Sequence, residues 1–127
     1  MIHGIGTDIV RVERVAASLE RHGERFAERI LALPERVAFA ASRDPARFLA
    51  KRFAAKEAFG KALGTGVAVP ATLHALTVIH DARGKPLFDF AETLRCYMAE
   101  RQLHAYLSLS DESDYVVAFT VIERHAP

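Results

Sequence analysis

Strand-like patterns of apolar and polar positions occupy both ends of the chain and one stretch beyond its middle. The first strand is predicted at residues 2–8, where Gly4 and Gly6 indicate the close approach of another backbone. The polar, glycine-containing turn 81–86 predicts a hairpin. The remaining predicted strands are, in order, residues 73–80, a return strand beginning at Leu87, residues 104–110, and residues 115–123 after the polar turn 110–114.

Helical spacing fills the stretches between these strands. Pro34 followed by Glu35 predicts a helix start, and that helix is expected to end near Ser42. The mixture lacks regular β-α-β alternation, so we expect an α+β fold with a mostly antiparallel sheet, in one domain over residues 1–127. The other helical segments are an early face of Val12, Val15, Leu19, Phe26, Ile30 and Leu31 with a break at Gly23, residues 46–63, and residues 91–102.

Composition narrows the functional classes. The formal net charge of the 127 residues is +1, which does not indicate a nucleic-acid partner. The chain shows neither a signal-peptide pattern nor an apolar run long enough to span a bilayer. Cys96 is the only cysteine, so an internal disulfide is excluded and a reducing cytoplasm is expected. We expect Cys96 to be a packed thiol within its helix rather than a nucleophile.

The segment 52–66 contains the most informative side chains. Glu57 and Lys61 are four residues apart and therefore project from one side of the predicted helix. Gly64 and Gly66 are expected to end that helix and to admit a ligand close to the backbone. A carboxylate that can hold a hard cation beside an ammonium suits the pyrophosphate of a nucleotide or coenzyme. The alternative is an exposed surface ion pair.

Asp8 lies where the first strand is expected to give way to a helix, which leaves two roles open. It could cap that helix, or it could be a second carboxylate ligand beside Glu57, since Mg²⁺ takes one or two protein carboxylates. The six histidines are scattered and show no zinc-ligand spacing.

A partial stripe of cationic side chains runs along the early helical region. Arg14, Arg21 and Arg25 lie close together on the predicted helix, and Phe26 adds an apolar anchor beside them. Such a stripe supports recognition of an acidic helix, although the same pattern also occurs on solvated faces.

Several segments together resemble the holo-[acyl-carrier-protein] synthase family, the short bacterial 4′-phosphopantetheinyl transferases. The likeness covers nearly the whole chain in the family's order, and its most specific part is the Phe-Ala-Ala-Lys-Glu-Ala segment. The matching segments are residues 4–10 (GIGTDIV), 26–31 (FAERIL), 48–58 (FLAKRFAAKEA) with Lys61 and 64–66 (GTG), 84–86 (GKP), and 108–111 with 115–118.

This resemblance implies an activity, a metal and an assembly. Members of the family move the phosphopantetheine arm of coenzyme A to a serine of apo acyl carrier protein, a step in fatty acid biosynthesis, and release adenosine 3′,5′-bisphosphate. They require Mg²⁺, and the short members resemble homotrimers with each active site at a subunit interface.

The resemblance also implies roles for residues at matching positions. Asp8 and Glu57 match the metal ligands. On chemical grounds, Glu57 is also the best candidate to take the serine proton, directly or through a metal-bound water. Coenzyme contacts are implied for Lys61 at the pyrophosphate, Arg52 near the 3′-phosphate, Gly84-Lys85-Pro86 around the adenine nucleotide, and Gly64, Thr65 and Ser110. Arg14, Arg21, Arg25 and Phe26 match the helix that docks the carrier protein.

One position departs from the family pattern. Many members carry Ser-His at the start of the last turn, whereas Ser110 is followed here by Asp111. A histidine base at that site is therefore excluded, and the role of Asp111 stays open. Two other classes compete with the transferase: a noncatalytic carrier-protein or nucleotide-binding module of the same fold, and a structural trimer in which Glu57 and Lys61 are only a surface pair.

Overall fold

The structure is a computed structural model that describes residues 1–126. A central helix, α4, lies against a three-stranded antiparallel sheet of order β1-β5-β4, and a separate two-stranded hairpin pairs β2 with β3. The predicted α+β class with antiparallel pairing is confirmed. The elements are β1 (Ile2–Arg11), α1 (Val12–His22), α2 (Glu24–Ile30), α3 (Arg36–Ala40), α4 (Pro45–Leu63), β2 (Leu76–His80), β3 (Pro86–Phe90), α5 (Glu92–Glu100), β4 (Leu103–Asp111) and β5 (Tyr115–Arg124).

Two glycines of β1 allow the strand to lie directly on α4. A Cβ atom at Gly4 would be 2.0 Å from the Ala62 carbonyl oxygen, and one at Gly6 would be 2.1 Å from the Ala58 carbonyl oxygen. Only glycine fits such an approach. The predicted contact with another backbone is confirmed, and the partner is α4 of the same chain.

Local signals set both ends of α4. Asp44 caps the helix by accepting a hydrogen bond from the Arg47 backbone N–H, and Pro45 occupies the first helical position. Gly64 ends the helix in the left-handed region, at φ 97°. The helix therefore starts and stops close to the predicted residues 46–63.

The sheet has two faces of different character. Val116, Ala118, Thr120 and Ile122 alternate inward along β5 and are fully buried. The opposite face is apolar but exposed, and its largest side chains are Ile5, Ile9, Tyr106, Val117 and Phe119. An exposed apolar patch of this kind marks an interaction surface.

The predicted end of the first strand at Asp8 is wrong. β1 continues to Arg11, so Asp8 lies inside the strand opposite Ala118 and does not cap α1. The cause is pairing with β5, whose Tyr115 faces Arg11 and extends the ladder three residues beyond Asp8.

The helix predicted from Pro34 is shorter than expected. A 3₁₀ turn covers Leu33–Glu35, and α3 begins only at Arg36. Pro34 and Glu35 do occupy the start of this 3₁₀ turn, where the Glu35 side chain accepts a hydrogen bond from the Ala32 backbone N–H. The buried carboxylate also accepts a hydrogen bond from the Val78 backbone N–H. Similarly, residues 73–75 form a 3₁₀ turn before β2.

The expectation that Cys96 is packed is also wrong, because its side chain is exposed. Leu94 and Met98 hold the buried face of α5. Residue 96 lies two positions from each of them, which places it on the opposite side of the helix.

Candidate active site

Three of the predicted site residues meet where β1 crosses α4. Asp8 comes from the strand, while Glu57 and Lys61 come from successive turns of the helix. The Lys61 ammonium donates to the Thr7 carbonyl oxygen at 2.9 Å and to Asp8 Oδ1 at 3.3 Å. Lys61 thus forms its ion pair with the strand and not with Glu57, so the surface-pair interpretation has the wrong partner.

The surroundings of Asp8 and Glu57 disfavour the charged forms of both carboxylates. Burial raises the pKa of Asp8, although the hydrogen bond and the charge of Lys61 oppose that rise. Burial also raises the pKa of Glu57, and the neighbouring negative charge of Asp8 raises it further. Two carboxylates therefore share one ammonium, and an added cation would relieve both effects.

This pair of oxygen donors fits Mg²⁺. The ion takes one or two protein carboxylates and completes its octahedron with water and substrate phosphates. Within residues 1–126 no cluster of three or more His, Cys, Asp or Glu side chains has metal-binding geometry.

Asp8 and Glu57 open into a cleft of about 710 Å³. Its walls are formed by the first two helices and by α4, and they are mostly apolar: Val15, Phe26, Ile30 and Phe53 line it together with Arg14, Arg29 and Tyr115. A hydrogen bond of 2.7 Å from Arg11 to the Tyr115 hydroxyl closes one edge. Arg14 and Phe26, two of the predicted docking residues, therefore share a cleft with both carboxylates.

The other two docking residues lie outside this cleft. Arg25 lines an adjacent groove, whereas Arg21 lies in the last turn of α1 and lines neither cavity. Gly23, at φ 61°, separates the two helices and sets Arg25 on the second of them.

A second group of predicted residues surrounds a hollow of about 350 Å³ at the other end of α4. Arg52 lines it, and its guanidinium lies 4.3 Å above the ring of Phe48. Arg52 Nε is 3.1 Å from Glu35 Oε2, close enough for an ion pair but outside hydrogen-bond geometry. The charge of Glu35 and the ring of Phe48 together fix the position of the Arg52 guanidinium.

The hairpin reaches the same hollow. His80 lines it and pairs across the hairpin with Pro86, the last residue of the Gly84-Lys85-Pro86 segment. Burial lowers the pKa of His80, and the positive charges of Arg52 and Lys51 lower it further. The hollow is thus electropositive, and Arg52 and the predicted nucleotide segment lie near each other.

Asp111 lies next to this hollow. Its Oδ2 atom is 3.2 Å from Arg47 Nη1 and 3.4 Å from Lys51 Nζ, while Ser110 before it is exposed in β4. Arg47 also donates to the carbonyl oxygens of Glu112 and Ser113, which fixes the β4–β5 turn against α4. Asp111 therefore shares two cations of the hollow.

No residue that lines the hollow also lines the carboxylate cleft. The structure therefore brings the predicted residues together in two separate groups within one chain. Gly64 and Thr65 belong to the loop after α4, where the Thr65 hydroxyl donates to the Gly66 carbonyl oxygen at 2.9 Å.

Sequence analysis missed Arg47, Lys51 and His80 as neighbours of Arg52. The four-residue spacing of Arg47 and Lys51 was a usable signal, since it places both on one side of α4. His80 had no signal, because only the hairpin register brings it to the hollow.

Lys56, inside the Lys-Glu-Ala motif, is not part of the cleft. Its side chain is fully buried and donates to Glu35 Oε1 and to the carbonyl oxygens of Ile30 and Leu73. Burial lowers its pKa, while the Glu35 carboxylate opposes that change. Lys56 thus joins α4 to the end of α2 and to the segment before β2.

None of the helices formed by residues 1–126 has the length and apolar character needed to cross a membrane.

A family profile described as the 4′-phosphopantetheinyl transferase superfamily matches residues 4–120. A protein from Azoarcus sp. (strain BH72) named holo-[acyl-carrier-protein] synthase is 74% identical over 123 residues, which is 97% of this chain and 98% of the relative.

Solved structures show the same likeness. The crystal structure of holo-[acyl-carrier-protein] synthase from Neisseria meningitidis has a TM-score of 0.94 at 44% identity and covers 98% of this chain and 100% of its own. The Bacillus anthracis str. Ames synthase, solved in complex with coenzyme A (3′,5′-ADP), has a TM-score of 0.84 at 34% identity over 98% and 99% of the two chains. The chain therefore belongs to the 4′-phosphopantetheinyl transferase superfamily.

Proposed function

We propose that this protein transfers the 4′-phosphopantetheine group of coenzyme A to a serine of apo acyl carrier protein, in a Mg²⁺-dependent reaction that releases adenosine 3′,5′-bisphosphate. The observation that carries the proposal is the meeting of Asp8 and Glu57 in one cleft with the docking residues Arg14 and Phe26. Lys61 pairs with Asp8 at the edge of this site. The names and coenzyme complex of the relatives support it.

Asp8 and Glu57 would hold the metal. When bound, Mg²⁺ supplies positive charge that offsets the diphosphate and polarises its phosphorus. The two raised pKa values are consistent with this role: burial raises both, the charge of Asp8 raises that of Glu57 further, and a bound cation would oppose these effects.

Lys61 binds the leaving side of the diphosphate. Its ammonium has three hydrogens, and the bonds to Thr7 and Asp8 use two of them. The third is free to meet a phosphate oxygen, where it stabilises charge that develops as the bond to phosphorus breaks.

Glu57 takes the proton from the attacking serine hydroxyl. The carboxylate lies in the same cleft as the residues proposed to dock the carrier, which places it where the serine hydroxyl would enter. Phosphoryl transfer needs charge neutralisation and alignment more than covalent assistance, and the cleft contains groups for both.

The coenzyme spans both groups of residues in this proposal. Arg52 receives the 3′-phosphate, Gly84-Lys85-Pro86 borders the adenine nucleotide, and Gly64, Thr65 and Ser110 complete the contacts. Because the cleft and the hollow share no lining residue within one chain, a homotrimer would supply the hollow of one subunit to the cleft of its neighbour.

The exposed apolar face of the sheet supports such an assembly. Ile5, Ile9 and Phe119 are 60%, 63% and 44% exposed in the single chain, and a second and third copy would cover them. Light scattering tests this point: a homotrimer has a mass of about 42 kDa, three times the 14.0 kDa chain. The cytoplasmic location and the place in fatty acid biosynthesis stay predictions.

The test of the transferase is an intact-mass measurement of the carrier. Apo acyl carrier protein, coenzyme A and Mg²⁺ are incubated with the wild type and with Glu57→Gln. We expect the wild type to add the mass of one phosphopantetheine, EDTA to stop the addition, and Glu57→Gln to be inactive. A full rate in Glu57→Gln would refute the site assignment. No addition, with a carrier that another transferase does modify, would favour a noncatalytic binding module.

A further inference from the structure

A second groove, of about 530 Å³, adjoins the carboxylate cleft. Phe26 and Arg29 line both cavities, so the groove continues the cleft on the far side of α2. We call it the Arg36 groove. Its lining contains five basic side chains and one carboxylate, that of Glu28. The basic side chains are His22, Arg25, Arg29, Arg36 and His74.

The arginines of this groove are available to a partner. Within residues 1–126, none of Arg25, Arg29 and Arg36 has an ion pair within 4.0 Å or a side-chain hydrogen bond. Arg47 and Arg52, in contrast, are held by acidic side chains of the same chain. Within residues 1–126, no acidic side chain is therefore paired with these three guanidinium groups.

Arg36 carries the strongest signal. Its Nε atom is buried and has no hydrogen-bond partner. A buried donor without a partner costs free energy that an incoming acceptor can recover. His74 fixes the wall next to it, since His74 Nε2 lies 2.6 Å from the Glu28 carbonyl oxygen.

We propose that the Arg36 groove extends the carrier-docking surface beyond Arg25 and Phe26: carboxylates on the surface of the carrier protein pair with Arg36 and Arg29, while α1 holds the rest of the partner. This inference rests on the proposed transferase function. Guanidinium groups recognise carboxylates through paired, directional hydrogen bonds. The groove adjoins the cleft at Phe26 and Arg29, so a carrier bound at the cleft has the groove within reach.

A coenzyme phosphate is the less favoured occupant. The hollow around Arg52 shares no lining residue with the Arg36 groove, so the proposed nucleotide contacts of this chain lie elsewhere.

The test compares Arg36→Gln with Arg101→Gln, which removes the same charge from an exposed arginine at the end of α5. Initial rates are measured against apo carrier and against coenzyme A. We expect Arg36→Gln to raise the KM for the carrier about tenfold, with kcat and the KM for coenzyme A within about twofold of wild type. The KM for the carrier should also rise less steeply with salt than in the wild type, and Arg36→Lys should restore part of the affinity.

Three outcomes would overturn the proposal. An active wild type whose KM for the carrier is unchanged in Arg36→Gln shows that the groove does not bind the carrier. An equal rise in Arg101→Gln assigns the effect to net charge. A rise in the KM for coenzyme A alone, or competition by inorganic phosphate against coenzyme A that is lost in Arg36→Gln, makes the groove a phosphate site.

A wild type that modifies no carrier instead refutes the proposed function, so the two failures are distinguishable. If Arg36→Gln is found unfolded by circular dichroism, Arg36→Lys decides the question with the same measurements, because it keeps the charge and removes the buried Nε donor; an unchanged KM for the carrier overturns the proposal.

Discussion

The substitution Gly6→Ala tests whether the contact between β1 and α4 positions the active site. The added Cβ would lie 2.1 Å from the Ala58 carbonyl oxygen and 2.8 Å from the Ala62 backbone nitrogen. Real Cβ atoms essentially never approach closer than 3.0 Å, so the strand and the helix must separate by at least 0.9 Å, the difference between 3.0 and 2.1 Å. Both obstructing atoms are backbone, and no side-chain rotation can relieve the clash.

Two consequences follow from that displacement. The free energy of unfolding should fall by about 3 kcal/mol, the upper range for overpacking a rigid interior. Asp8, two residues along β1, moves by about 1 Å relative to Glu57 and Lys61, and a misplacement of that size costs about 100-fold in rate. The hydrogen bond from Lys61 to Thr7 should lengthen or break as well.

Urea denaturation followed by circular dichroism measures the first effect, and initial rates of carrier modification measure the second on protein shown to be folded. Thr7→Ala is the matched control, because its side chain points outward from the same strand; its stability should stay within about 1 kcal/mol of wild type. A Gly6→Ala variant with wild-type stability and rate would refute the reasoning.

Three further predictions concern charge and packing. Glu57→Gln should abolish transfer yet raise the free energy of unfolding at neutral pH, because the folded state raises the pKa of this carboxylate and so disfavours its charged form. The gain in stability should disappear as the pH falls through that pKa, which denaturation series from pH 7 to 4 measure. Lys56→Met should lower the free energy of unfolding by about 3 kcal/mol, because buried Glu35 would lose its closest cation. The double variant Lys56→Met/Glu35→Met should recover part of that loss; a double variant no more stable than Lys56→Met would contradict this cause. Thr120→Val should raise the free energy of unfolding by about 1 kcal/mol, because the buried Thr120 hydroxyl has no hydrogen-bond partner among residues 1–126. Thermal denaturation measures this as a higher midpoint temperature; a lower midpoint would show that the hydroxyl has a partner.

Much of the fold was predictable because its signals are local. Strand alternation placed β4 and β5, and the turn residues 81–86 placed the hairpin. Gly4 and Gly6 correctly indicated backbone contact, since a missing Cβ in a strand has few other uses. Asp44-Pro45 and Gly64 bounded α4 through capping chemistry that depends only on neighbouring residues.

Errors arose where a distant segment decided the outcome. Asp8 lies within β1, and not at a helix cap, because β5 pairs with the strand as far as Arg11. Glu35 lies in a first helical turn as predicted, but its buried pairing with Lys56, 21 residues away along the chain, was not predicted. Cys96 is exposed because Leu94 and Met98 occupy the packed side of α5.

The sequence by itself determined the α+β class and the helix that holds Glu57 and Lys61 on one side, because spacing and residue type encode these. The remaining candidate site residues came from the match to the family's motifs. Only the tertiary structure decided that Lys61 pairs with Asp8, that the carboxylate cleft and the Arg52 hollow are separate in one chain, and that unpaired arginines continue past α2 to Arg36. The physical reason is that spacing along a helix fixes which side chains share a face, whereas the distances across chain segments depend on how closely β1, the helices and the hairpin pack against α4.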